Sequence, residues 1–381
     1  MKKFIALFLA AMMVFAFTAC GGGSSDESAD TDSGDAAAEV AASYDDIDDN
    51  CESSDGTYEI AMVTDVGQLK DGSFNQFTWN GVKKYAYDNG LTYKYYQPAN
   101  GSNATDEDRM KAMSDAADAG AKVIVTTGFM QATALEAIAP KYPDVQFIFV
   151  DGGSLDQPNV IGITYKEEQA GYLAGYATVM EGYTKLGFSG GGGGTNPACI
   201  RYGYGFAQGA NDAAKEKGET VEMRYSWEYG ASFSASDDLQ AMLAGWYNAG
   251  TEAIFMCGGP MFNSGTAAAD AADGAIIGVD VDQSFLSDTV ITSAMKDLAG
   301  SVINAIGEYY DAGAVKGEDK VLGAAEDMVG IPTDTWSLQN WTVDDYNALF
   351  EKVKSGEVEI DNNSEMADPS TAGLENITFV K

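Results

Sequence analysis

Short apolar runs rich in β-branched residues recur along this chain, and each is followed by a stretch with apolar residues at helical spacing. That alternation constrains the fold more than any other feature. Parallel strands need a long crossover connection, and a helix is the usual one. The first unit reads as a buried strand over Ile60–Thr64, a turn opened by Gly67, and a helix over Phe74–Tyr87. Asp71, Gly72 and Ser73 stand where short polar side chains accept the free N–H groups of a helix start. Strands continue at Leu91–Tyr96, Val123–Thr127, Gln146–Val150 and Val160–Thr164, with helices over Thr105–Ala119, Gln131–Lys141 and Glu167–Met180. The order then restarts. Strands are expected at Lys185–Ser189, Val221–Trp227, Ala253–Met256 and Ala275–Val279, with an extended run at Thr289–Ala294. The matching helices are Tyr202–Lys217, Ser236–Ala249, Ser264–Ala272 and Lys296–Ala312. The pattern predicts an α/β protein of two units in series, each a parallel sheet with helices on both faces. Residues 320–381 add short strands and a helix near Val343–Gly356, which the pattern alone assigns to neither sheet.

At 381 residues the chain is long enough for two such units. Its formal charge of −36 argues against a nucleic-acid partner, since phosphate neutralisation needs clustered Lys and Arg. The complete lack of histidine removes His-based triads, and Cys20, Cys51, Cys199 and Cys257 lack metal-ligand spacing. No metal, no cofactor and no catalysis is expected. Lys2 and Lys3 precede an apolar run from Phe4 to Phe17, which reads as a secretory leader over residues 1–19. Phe17-Thr18-Ala19-Cys20 is similar to a bacterial lipobox, in which the cysteine becomes the first mature residue and carries lipid. Membrane attachment through Cys20, on the extracytoplasmic face, is the expectation. Residues 21–56 are rich in Gly, Ser, Ala and Asp with no Lys or Arg, so an extended acidic linker is expected there. The three cysteines beyond Cys20 are odd in number, no pairing is assigned, and thiols are the expectation.

Ligand groups in such folds gather at strand carboxyl ends. Here those ends supply Asp65–Asn75, Gly128-Phe129, Asp151-Gly152 and Asp280-Val281-Asp282-Gln283, with glycine-rich turns at Gly190–Gly194 and Cys257–Pro260, the latter including Gly258. Asp151 and Asp280 suit ligand hydroxyls or ring N–H groups, and Lys296 adds a donor. Phe74, Tyr202 and Phe206 offer faces for a flat ring. Each also has a purely structural alternative: Phe74 and Phe206 as core, Asp71 as a helix cap, Asp151 and Asp280 as turn formers, Lys296 as a surface charge. The glycine run lacks the GK[ST] of a phosphate loop.

The blocks VTDVGQLKDGSFNQFTWNGVKK (63–84), VIVTTGF (123–129), FIFVDG (147–152), YKEEQAGYLAGY (165–176), the 186–210 segment ending YGYGFAQGA, and IIGVDVDQS…VITSAMKD (276–297) resemble the basic membrane protein family. These are bacterial lipoproteins that bind nucleosides for ABC importers. The resemblance implies a type I periplasmic-binding-protein fold, two Rossmann-like lobes joined by a hinge. It implies a nucleoside ligand, with a purine base expected, and permease and ATPase subunits as partners. Carried over residue by residue, it implies stacking by Phe74 and Tyr202, base-edge contacts by Asn75 and Asp151, and ribose contacts by Asp280 and Lys296. Asp71, Phe206 and Gly258 complete the expected site. Lys70-Asp71-Gly72, Tyr202 in place of a usual Phe, and the long glycine run depart from the family pattern. The implied layout is a leader (1–19), lipidated Cys20 with linker (20–56), a first lobe (57–165 plus about 293–318), a second lobe (166–292) and a C-terminal segment (319–381) across both. A sugar receptor of the same fold, a ligand sensor for a membrane signalling protein, and a nucleoside hydrolase using the aspartates are the competing readings.

Overall fold

A computed structural model describes residues 43–66 and 68–381. The expected leader, Cys20, the linker up to residue 42 and Gly67 lie outside them.

The first sheet holds β1 (Ile60–Val63), β2 (Tyr93–Tyr96), β3 (Val123–Thr127), β4 (Gln146–Val150) and β5 (Val160–Tyr165), with α1 (Phe74–Asp88), α2 (Asp106–Asp118) and α3 (Ala132–Ile138) in the crossovers. Every residue of β1, β3 and β4 is buried. Parallel strands covered on both faces need such continuous apolar runs, which is why these three stand out in the sequence. Thr105 caps α2, its hydroxyl accepting the Asp108 N–H at 3.2 Å while Asp108 accepts the Thr105 N–H at 2.9 Å.

The second sheet repeats the plan. It contains β6 (Lys185–Gly190), β7 (Val221–Ser226), β8 (Ala253–Cys257), β9 (Ala275–Asp280) and β10 (Val290–Lys296). Its helices are α4 (Glu167–Glu181), α5 (Pro197–Lys217), α6 (Asp237–Asn248) and α7 (Phe262–Asp270). Helices α4 and α5 cross in backbone contact. A Cβ at Gly171 would lie 2.2 Å from the Tyr202 carbonyl oxygen, and one at Gly205 2.2 Å from that of Glu168. This crossing fixes Tyr202 beside Glu167 and Glu168. Helix α5 begins five residues before the expected Tyr202, because Asn196 Oδ1 accepts the N–H groups of Ala198 and Cys199 at 2.9 and 3.1 Å and Pro197 opens the first turn.

The remaining elements are α8 (Leu298–Ala312), β11 (Glu318–Leu322), β12 (Val329–Gly330), α9 (Val343–Ser355) and β13 (Ile377–Val380). The sheet orders are β11-β5-β4-β3-β1-β2 and β12-β10-β9-β8-β6-β7-β13, parallel throughout except for β12 against β10. The chain therefore crosses between sheets after β5, after β10 and after β11. The return to the first lobe falls after Lys296 rather than near 293, because β10 pairs with β9 up to Met295. Lys296 ends this strand and does not open a helix. Helix α8 packs on α1, where a Cβ at Gly81 would meet the Ala299 oxygen at 2.6 Å. The C-terminal part of the chain supplies β11 to one edge of the first sheet and β12 and β13 to the two edges of the second.

Residues 43–56 correct the linker expectation. Ile47 is buried, Cys51 exchanges backbone hydrogen bonds with Tyr93 at 3.0 and 2.9 Å, and Asp49 pairs with Lys70 and Lys83. A buried isoleucine, a backbone bridge to Tyr93 and ion pairs to two lysines dock this acidic stretch on the first lobe.

Candidate ligand-binding cleft

In both sheets the first strand lies between the second and the third, the point where the winding reverses direction. The carboxyl ends of both sheets meet in one cleft around a space of about 60 Å³. Asp71, Phe74, Asn75, Asp151, Tyr202, Gly258, Asp280 and Lys296 all line it.

The first-lobe wall is built largely on itself. Asp71 caps α1, accepting the N–H groups of Ser73, Asn75 and Gln76 at 2.9, 3.0 and 3.1 Å. Burial pushes its carboxyl up, and those backbone donors pull the other way. The Asn75 amide is engaged at both ends. Its oxygen accepts the Asp65 N–H at 3.0 Å and the Thr127 hydroxyl at 2.9 Å, and its nitrogen donates to Asp71 at 3.1 Å and to the Val66 carbonyl at 3.4 Å. In this geometry Asn75 positions the β1–α1 loop, where a base-edge contact was expected of it. Asp65 is different: its Oδ1 is buried and has no hydrogen-bond partner among the described residues. Burial raises its carboxyl to about 7, against the Val66 N–H. Gly128 makes room for it, since a Cβ there would lie 2.2 Å from Asp65 Oδ2.

Asp151 and Asp280 both take left-handed backbone, at φ 61° and 68°. Each ends the fourth strand of its sheet and turns its carboxylate into the cleft. Between them lies Lys296, 3% exposed, with Nζ 2.7 Å from Asp151, 3.4 Å from Asp280 and 3.9 Å from Glu167. Burial disfavours its charge, but Asp151, Asp280 and Glu167 outweigh that and hold it above the usual lysine range. Glu167 is also raised by burial, opposed by Arg201 at 2.6 Å and by Lys296. Asp280 is raised by burial, with Lys296 opposing, and accepts the Ser73 hydroxyl at 2.8 Å. The lobes are thus joined by polar contacts at Ser73–Asp280 and Asp151–Lys296.

The Lys296 ammonium stands 4.8 Å from the centre of the Phe74 ring. Tyr202 is buried, packs edge-on against Phe255 at 6.0 Å, and has no hydrogen-bond partner for its hydroxyl among the described residues. Phe206 does not line the cleft, contrary to expectation. It is one helical turn deeper on the same face of α5, fully buried, and packs on Phe255 at 5.2 Å. Gly258 stands where a Cβ would lie 2.7 Å from Met261 Sδ. Asp65 and Cys257, at strand ends read from the sequence, line the cleft too, and so do Asn196, Cys199 and Phe233, which the sequence did not single out. The Asn196-Pro197 cap signal would have placed Cys199 in the first turn of α5, facing the strand ends. Four carboxylates and one lysine are among the lining residues, so the cleft is net negative and rich in acceptors. Among the described residues no group of three or more His, Cys, Asp or Glu side chains is disposed to hold a metal. None of the described helices is long and apolar enough to cross a membrane.

The family described as ABC transporter substrate-binding protein PnrA-like matches residues 58–364. The chain is 28% identical to the ABC transporter nucleoside-binding protein BmpA of Lactococcus lactis subsp. cremoris over 282 residues, 68% of this chain and 76% of that protein. It is 26% identical to basic membrane protein A of Borreliella afzelii over 321 residues, 81% of this chain and 93% of that one. The fold is similar to that of an ABC transporter solute-binding protein from Aeropyrum pernix K1, with a TM-score of 0.70 at 21% identity over 84% of this chain and 99% of that one.

Proposed function

Since the chain belongs to the PnrA-like family of ABC transporter substrate-binding proteins, we propose that it captures a nucleoside, with a purine base, between its lobes and delivers it to a membrane permease. The observation that carries this reading is the charge balance of the cleft lining: four carboxylates and one buried lysine, which lies between Asp151 and Asp280 and beside the Phe74 ring. Such a site favours a neutral ligand with several O–H and N–H donors and a flat ring. A nucleotide phosphate would meet repulsion from every wall. The nucleoside-binding relative from Lactococcus lactis supports the same class.

In this reading Phe74 stacks on the base and Tyr202 offers its ring edge and hydroxyl. Asp151 meets the base edge, and Asp280 with Lys296 holds the ribose hydroxyls. Asn75 and Asp71 hold the loop that carries Phe74. A space of about 60 Å³ is narrower than ordinary small-molecule clefts, so the lobes part to admit the ligand and close on it. Contacts made only in the closed form bias the lobes towards closure, and the closed form is what the permease reads. The protein performs no chemistry on its ligand. Cys20 ties it by lipid to the outer face of the membrane.

Isothermal calorimetry with guanosine, adenosine, uridine, ribose and guanosine monophosphate tests the ligand. Micromolar or tighter binding of a nucleoside is expected, with little for ribose and less for the monophosphate. Tight ribose binding with no nucleoside response would make this a sugar receptor. Free base appearing on incubation with inosine would make it a hydrolase.

A further inference from the structure

Two cysteines face the cleft from the second lobe. Cys199 lies in the first turn of α5, and Cys257 ends β8. Both line the cavity and are buried, at 7% and 0% exposure. They are not joined by a disulfide, and both line the same cavity. They stand on separate elements: the helix that carries Tyr202 and the strand that leads into Gly258. We propose that Cys199 and Cys257 form an exchange-competent dithiol, which a low-molecular-weight disulfide reaching the opened cleft converts to an intramolecular disulfide, and that the oxidised cleft grips its ligand less well.

The exchange balances as follows. One cysteine loses its proton and attacks a sulfur of R–S–S–R, forming a protein mixed disulfide and expelling one R–S⁻. The other cysteine then gives up its proton and displaces the second R–S⁻. Two protein thiols become one disulfide, and one small disulfide becomes two small thiols. Burial, with Cys199 adding to it, pushes the Cys257 thiol well above its ordinary range. Cys257 is therefore the slower nucleophile and suits the resolving step. A sulfur–sulfur bond spans only about 2.05 Å and the two sulfurs are not bonded here, so closing it draws α5 and the end of β8 together. The wall has little slack to absorb this: Gly258 has no room for a Cβ beside Met261, and α5 is in backbone contact with α4. The shift is passed to Tyr202 and the ligand-facing surface.

The effect on affinity rests on the proposed function; formation of the disulfide does not. The test incubates the reduced full chain with hydroxyethyl disulfide, with and without saturating guanosine. The expected result is a linked peptide pair containing Cys199 and Cys257, formed more slowly when guanosine is present. The oxidised protein then binds guanosine at least about tenfold more weakly, and phosphine reduction restores the affinity. Absence of the linked pair, in a vessel where the reagent oxidises a small dithiol, overturns the proposal. Equal rates with and without guanosine overturn entry through the open cleft, and unchanged affinity after complete oxidation overturns the coupling to binding. Should the reduced protein bind no nucleoside, the proposed function fails, and the linked pair alone decides whether the dithiol exists.

Discussion

The two walls of the cleft are wound alike and finished differently. Each sheet places its first strand between its second and third, and each ends its fourth on a left-handed aspartate. Yet the first wall meets most of its own hydrogen bonds. Asp71 is spent on the start of α1, and Asn75 on Asp65, Thr127, Asp71 and Val66. In the second wall, Asp280 takes its hydrogen from Ser73 and Lys296 gives its closest contact to Asp151, both across the cleft. The first lobe is therefore a platform largely built before closure, with Asp65 and Asp151 the exceptions, and the second is completed by closing. Substitutions in the platform should register chiefly as stability. Those at the crossing points should register in stability and affinity together.

The largest effect is expected at Lys296. Replacing it with Met leaves Asp151 and Asp280 facing one another with their cation gone, and leaves Glu167 to Arg201 alone. Breaking a buried pair in this way costs about 3–5 kcal/mol, read by urea unfolding, and nucleoside binding is lost. The penalty arises from ionised carboxylates, so it shrinks as the pH is lowered and Asp280 and Glu167, both already raised by burial, take up protons. A variant as stable as the parent at neutral pH would mean the lobes do not depend on this crossing.

Phe74→Ala comes next. The ring is only partly buried, so removing it should leave the fold in place and cost roughly 1–3 kcal/mol of nucleoside affinity by calorimetry. Unchanged affinity in a folded variant would return Phe74 to the structural platform. Asp71→Ala should show the reverse pattern. Loss of a cap costs about 0.5–2 kcal/mol of stability, with a smaller change in affinity through the loop it holds. If Asp71→Ala abolished binding while sparing stability, the division between the two walls would break down.

What the sequence made legible follows the same physics. Strands β1, β3, β4, β8 and β9 are buried along their whole length, so their composition announces them. Their ends locate the cleft. The edge strands do not announce themselves. β11 alternates between half-buried and exposed positions, and β12 and β13 pair with strands far away in sequence. Tyr202 and Phe206 share a helical face, so spacing alone could not tell the residue at the cleft from the one a turn below it. The pairing of Cys199 with Cys257 depends on where a helix start meets a strand end, which no local pattern encodes. Residues 43–56 look like linker by composition and dock through a few specific contacts.

The smallest effect concerns Asp65, the point at which the first wall is left unfinished. Its carboxyl is raised to about 7 by burial, whereas in an unfolded chain it titrates near about 3.9. Between those values the native state holds a proton that the unfolded state has lost. Stability contributed by this group therefore falls as the pH rises through that window and is level above it. Asp65→Asn should flatten that part of the stability profile. The same group links binding to protons. A ligand N–H or O–H donating to the unpartnered Oδ1 favours the carboxylate, so binding near neutral pH should release a fraction of a proton. Calorimetry in two buffers of different ionisation enthalpy reads that fraction, and in Asp65→Asn the buffer dependence should vanish. If it persisted, the proton would come from elsewhere, and Glu168, also raised to about 7 by burial, is the next group to replace. In that case Asp151 would be the first wall's remaining acceptor for the ligand, and the rest of recognition would fall to the groups of the second lobe.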